Sequence, residues 1–121
     1  MVEQGDIIKI NGINHLALVI SKDSYNKSGM AIVCPILHKS IGSTFEVEVS
    51  INDSLIYVAS DSVRQLDLNI REYSTKGRVP YSKLIYIIDM AQSIIDYYSM
   101  LYSPILWLTD IDSYCTISWL M

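Results

Sequence analysis

Cysteine and histidine are both scarce. Cys34 and Cys115 are the only thiols in 121 residues, and His15 and His38 the only imidazoles. Two cysteines do not make a disulfide framework. Cys34, inside an apolar run, reads as a small buried hydrophobe. No Cys/His spacing of the kind that holds a structural metal is present, so neither a metal nor a cofactor is expected. With five glycines and three prolines, the chain has no Gly-rich phosphate loop, and no Ser-His-Asp order appears. Cations also run out, since no Lys or Arg follows Lys83 while Asp89, Asp96, Asp110 and Asp112 do. The net charge of −4 leaves no basic footprint for tight, sequence-blind nucleic-acid binding. A polyanion, if bound, engages the first two-thirds of the chain.

What is present is apolar. Half of the residues are hydrophobic, in a length that fits one domain with one core. Residues 84–108 are apolar enough to require a membrane check. Asp89 and Asp96 interrupt them, each at ~3 kcal/mol at a bilayer centre, and Pro104 interrupts them again, so a span is rejected. Met1-Val2-Glu3-Gln4-Gly5-Asp6 leads straight into a strand pattern with no charged-then-apolar leader. The expectation is a cytoplasmic protein without a membrane segment.

Taken in order, Ile7 to Asn11 is a short β-branched run that turns at Asn11-Gly12. Leu16 to Ser21 is the return strand, apolar enough to be buried on both faces. Lys22 to Gly29 reads as a polar loop. Ala31 to Ser40 follows as a buried strand that ends in Pro35 and runs out into a polar loop. Thr44 to Val49 alternates, with Phe45, Val47 and Val49 on one face. Asn52-Asp53 turns the chain into a strand over Ser54 to Ala59. Asp61 to Leu68 alternates less cleanly, with Val63, Leu66 and Leu68 as its apolar members. Ile70 to Val79 is polar, with Lys76-Gly77 read as a turn. Pro80 opens a helix, tolerated there because its missing N–H had no partner. Leu84, Ile87, Ile88, Ala91, Ile94, Ile95 and Tyr98 recur at helical spacing. Met100 to Met121 is rich in Trp, Tyr, Leu and Ile and must cover something, either the barrel or a dimer seam. The predicted class is mainly β with α: a small, strongly bent barrel of five to seven strands with an amphipathic C-terminal helix. The predicted division is a barrel domain over 1–98, its helix at about 80–98, and an apolar extension over 99–121.

Several of these pieces together resemble the MazF/PemK family of bacterial toxins. Gly5-Asp6-Ile7-Ile8 is similar to its opening "G-D-[IVL]" strand, and Ala17-Leu18-Val19-Ile20-Ser21 to its "R-P-A-L-V-I-S" strand. Tyr25-Asn26, Gly29 and Ala31 to Ile36 resemble "Y-N…G…[IV]-x-C-P-I-T". Asp61 to Asp67 resembles "[DE]-Q-[VI]-R-[ST]-[LI]-D". The resemblance covers about residues 4–98 and implies an SH3-like barrel that forms a homodimer. It also implies an antitoxin partner and metal-independent cleavage of single-stranded RNA through attack of the ribose 2′-hydroxyl. That reaction needs a proton acceptor, a cation for the developing phosphate charge and an acid for the leaving oxygen.

The family's Arg before "P-A-L-V-I" is His15 here, and its Thr or Ser after "C-P-I" is Leu37. The loop before the Arg is cut down to Gly12-Ile13-Asn14, and the Gln of "[DE]-Q-[VI]-R" is Ser62. The usual catalytic pair therefore does not carry over. The sharp expectation is that His15 and His38 act as an acid/base pair, with Ser40 supplying a nearby hydroxyl. The plain one is two loop histidines on a scaffold that binds an antitoxin, RNA or another protein without cutting. Lys22, Lys27, Lys39, Ser62 and Arg64 are candidates for holding RNA, against the simpler role of keeping a surface wet. Tyr25 is a candidate base-stacking residue, against simple turn packing.

Overall fold

The computed structural model describes residues 1–95. The last turn predicted for the helix and the whole extension over 99–121 lie outside them. The elements in chain order are β1 (Asp6–Ile10), β2 (Leu16–Val19), α1 (Asp23–Asn26), β3 (Met30–Leu37), β4 (Glu46–Ile51), β5 (Ser54–Ala59), β6 (Arg64–Asp67), β7 (Tyr73–Arg78) and α2 (Tyr81–Ile94). All seven strands join one curled antiparallel sheet in the order β4-β5-β3-β2-β1-β7, with β6 also paired to β3. The mainly β class with a C-terminal helix is as the sequence predicts.

β3 organises the sheet because it has three partners. One edge lies along β2, from Val33 opposite Val19 to Ile36 opposite Leu16. The other edge is shared, with Met30 to Val33 facing β6 and Ile36 and Leu37 facing β5. Pro35 sits inside this strand rather than ending it. The Ile20 N–H donates to the Ile32 carbonyl, so residues 32, 34 and 36 turn their polar backbone toward β2 and Pro35 turns away from it. Its missing N–H therefore faces the gap where β6 has ended and β5 has not begun, and no ladder bond is lost.

Two other expectations need correction. The loop after Ser21 contains α1, a single turn whose Asn26 is buried. Asn26 Nδ2 donates to the Ser21 carbonyl at 3.1 Å, and the Ser21 hydroxyl donates to Asn26 Oδ1. Lys76-Gly77 is not a turn but part of β7: Ile7 faces Gly77 and Ile8 faces Thr75, which leaves Lys76 as the extra residue of a bulge. The segment reads as polar because an edge strand shows most of its side chains to water. By contrast, Asn52 and Asp53 have φ of 50° and 66°, the left-handed pair of a two-residue hairpin turn. Gly29 is required where it stands. Its φ is +91°, and a Cβ there would collide with the Asn69 side chain.

Period-2 alternation sorts the side chains onto two cores. Ile7, Leu18, Cys34 and Ile36 join Val47, Val49, Ile56 and Val58 under Leu84 and Ile87 of α2. Ile8, Ile10, Ala17, Val19, Ala31 and Val33 form a second core with Val2, flanked by Leu66, Leu68 and Tyr73. Leu84 and Ile87 are almost wholly buried, each worth roughly 1.5–3 kcal/mol. Val63, an apolar member of its alternating run, and Ile94 and Ile95, at helical spacing with Leu84 and Ile87, are exposed.

Candidate functional site

The second core opens to solvent in a groove of ≈ 400 Å³. Its floor is apolar, built from Ile10, Ile13, Ala17, Val33, Pro35 and Leu66. Its polar rim is His15, Ser62, Arg64 and Arg71. Each arrives there for a local reason. His15 is the residue before β2, whose register sets Ala17 opposite Pro35. Arg64 opens β6 and is held opposite Val33. Ser62 lies in the turn between β5 and β6, and Arg71 in the connection between β6 and β7.

The electrostatics of the groove are one-sided. No Asp or Glu lines it. The ion pairs among the described residues all belong to Arg78, so both groove arginines are without a carboxylate partner there. Two guanidinium groups beside an apolar floor suit a ligand with an anionic backbone and flat apolar faces. Among the described residues no group of three or more His, Cys, Asp or Glu is placed to hold a metal ion.

The structure brings together His15, Ser62 and Arg64 of the sequence-predicted residues. The others lie elsewhere. His38 and Lys39 are exposed in the bend after β3. Ser40 donates to Glu46 Oε1 at 2.5 Å, while Glu46 Oε2 accepts the Ile41 N–H at 2.8 Å. These hydrogen bonds hold the Glu46 carboxyl below its ordinary range, the Ser40 hydroxyl being the largest cause. Ser40 is thus a loop clasp in this conformation. Tyr25 presents its hydroxyl oxygen to Gln65 Nε2 at 2.5 Å. Lys22 is the N-cap residue of α1. Lys27 borders a separate cavity of ≈ 250 Å³ with Asn26, Asn69 and Tyr73.

Arg71 and Ile13 were not singled out from the sequence. A lone Arg in a polar connection carries no signal by itself. It reaches the groove only because β6 and β7 are set apart on the sheet, which spacing does not reveal. Leu37, half-buried, faces Tyr57 at the end of β3.

Residues 3–93 match the family model described as PemK-like, MazF-like toxin of type II toxin-antitoxin system. The fold is similar to MazF in a MazE–MazF crystal structure from Deinococcus radiodurans, with 26% identity and a TM-score of 0.70 over 78% of this chain and 95% of that one. An endoribonuclease in complex with its cognate antitoxin from a mycobacterial species shares the fold at 14% identity, TM-score 0.68, over 78% of this chain and 95% of that one. So does the Mycobacterium tuberculosis toxin MazF-mt6, at 15% identity and TM-score 0.62, over 76% and 96%. No curated protein matches the sequence. The model match over residues 3–93, with the shared sheet and helix, places this chain in the PemK-like, MazF-like toxin family of type II toxin–antitoxin systems.

Proposed function

We propose that this chain is the toxin of a toxin–antitoxin pair and acts on single-stranded RNA in the His15–Arg64–Arg71 groove. The observation that carries the reading is the pairing of two arginines, without a carboxylate partner among the described residues, with an apolar floor in one groove. Phosphates meet the guanidinium groups and unpaired bases meet the apolar floor. His15 is the one imidazole lining the groove, and it takes the proton from the ribose 2′-hydroxyl. The freed oxygen attacks the adjacent phosphorus, and a 2′,3′-cyclic phosphate forms as the bond to the 5′-oxygen breaks. Arg64 and Arg71 stabilise the charge that builds on the phosphoryl oxygens. The leaving oxygen takes its proton from water. No metal or cofactor enters the reaction. The working form is a homodimer in the cytoplasm, and a small antitoxin protein holds it inactive. Support for the antitoxin comes from the antitoxin complexes formed by proteins of this fold.

A second reading keeps the groove and drops the chemistry. It is favoured by Leu37 at the position of the family's hydroxyl, and by His38 lying outside the groove. The chain then binds RNA or an antitoxin without cutting.

Affinity for a fluorescent single-stranded RNA, measured against salt concentration, tests the groove under either reading. Arg71→Ala is expected to weaken binding about tenfold and to lower the salt slope by roughly one. His38→Ala is expected to leave both unchanged. Binding that is indifferent to Arg71→Ala and to Arg64→Ala sinks the groove assignment.

A further inference from the structure

The second core opens to solvent in another place as well. Beside the groove lies the smaller cavity of ≈ 250 Å³, whose lining includes Val2, Lys27, Leu68, Asn69 and Tyr73. The two openings adjoin through the sheet. Leu66 lines the groove and Leu68 the cavity. Leu68 continues the β6 ladder, its N–H donating to the Gly29 carbonyl at 2.8 Å, and residues two apart on a strand share a face at a spacing of ~7 Å. Ile10, on the groove floor, is paired with Tyr73 across β1 and β7. A single strand of nucleic acid lying in the groove therefore reaches the cavity within one or two nucleotides.

The cavity holds a cation, a ring and an amide. Lys27 supplies the cation. Among the described residues no Asp or Glu lines the cavity, and the ion pairs all belong to Arg78. Tyr73 is half-buried and packed against the second core, so its ring is a fixed aromatic surface. Asn69 is held by its neighbours. Its backbone N–H donates to Asp67 Oδ1 at 2.9 Å, and its Nδ2 donates to the Ser28 carbonyl at 3.4 Å. Gly29, having no Cβ, lets the Asn69 amide lie against the backbone. That leaves Asn69 Oδ1 to accept from the amino or imino N–H of a base.

We propose that this cavity is a second nucleotide subsite for single-stranded RNA. A base stacks on Tyr73 with its edge toward Asn69, and Lys27 meets a flanking phosphate. The subsite rests on the RNA reading of the groove and extends it to a second point of contact. It touches none of the reacting atoms. It therefore tightens the binding of substrate and transition state alike and leaves the chemical step unchanged.

Binding of the full chain to a fluorescent single-stranded RNA, followed against salt, tests the subsite. Lys27→Ala is expected to weaken binding severalfold and to lower the salt slope by roughly one. Tyr73→Leu, which keeps the apolar packing, is expected to weaken it about tenfold at an unchanged slope. Tyr73→Phe, which keeps the ring, should bind as the unaltered chain does. On an oligoribonucleotide built wholly of abasic residues, Tyr73→Leu is expected to change nothing, while Lys27→Ala still weakens binding. A purely structural Tyr73 would matter on both strands. If Tyr73→Leu loses its fold, Asn69→Ala takes its place, weakening binding to RNA severalfold and to the abasic strand not at all. Binding that falls in Arg71→Ala but is unmoved by Lys27→Ala and Tyr73→Leu overturns the subsite and leaves the groove standing. Failure of the unaltered chain to bind any single-stranded RNA overturns both.

Discussion

Arg78 Nη1 stands 2.9 Å from Oδ1 of Asp6, and the aspartate is almost wholly buried while the arginine is half exposed. The contact ties the end of β7 to the start of β1. Asp6 Oδ2 also accepts the Glu3 N–H at 2.9 Å, and Arg78 Nη2 donates to the Gln4 carbonyl at 2.8 Å. Arg78 thereby anchors the N-terminal segment that brings Val2 into the second core.

Arg78→Ala leaves a buried carboxylate with its backbone donor alone. Arg78 is exposed enough for solvent to screen the pair, so the cost lies at the low end for a charged hydrogen bond, about 1–2 kcal/mol. Urea unfolding should show it as a lowered midpoint at an unchanged slope. Glu3→Ala, which removes an exposed partner of the same guanidinium, should cost less than half as much.

Much of the fold was legible in residues whose meaning is local. Asn52-Asp53 was legible as a turn because both residue types tolerate the left-handed conformation, which they adopt here with φ of 50° and 66°. The helix was legible from Pro80 and the spacing of Leu84, Ile87 and Ala91. β7 was not, because an edge strand needs no apolar alternation and its bulge at Lys76 looks like a turn. Pro35 misled for a related reason: a proline is acceptable in mid-strand only where a partner is missing, and a change of partner is a property of the sheet. In the groove, His15, Ser62 and Arg64 were legible as residues at family positions. Arg71 was not, since the connection between β6 and β7 meets the groove only in three dimensions.

Cys34 is predicted to be chemically silent. Burial, with a smaller push from the negative charge of Asp61, raises its thiol to about 11. At pH 8 roughly a thousandth of it is thiolate, and the sulfur is fully enclosed. In a Cys115→Ser chain, iodoacetamide should modify Cys34 only as fast as the protein unfolds. Modification in native buffer on the timescale of a free thiol would contradict the burial.

The loop after β3 is predicted to loosen only in acid. Glu46 is held below its ordinary 4.5 by the Ser40 hydroxyl, then by the Ile41 and Gly42 backbone. A carboxylate with a depressed folded-state value stabilises above its unfolded-state value, and the effect is lost as pH falls through the folded one. The clasp is therefore intact at neutral pH and opens below the usual carboxylate range. An NMR titration of Glu46 should move upward toward 4.5 in Ser40→Ala. An unchanged titration would show that Ser40 does not hold the loop in solution.

The proposed action of His15 on RNA, in the groove it shares with Arg64 and Arg71, has a sharp consequence for cleavage. The most direct measurement is cleavage of a long mixed-sequence RNA by the purified protein with chelator present. His15→Ala and His38→Ala are run beside it. Site-specific cuts ending in cyclic phosphate are expected, at least about 100-fold slower in His15→Ala and undiminished in His38→Ala. No cutting by the unaltered protein at any concentration, or cutting that survives His15→Ala at full rate, would contradict it.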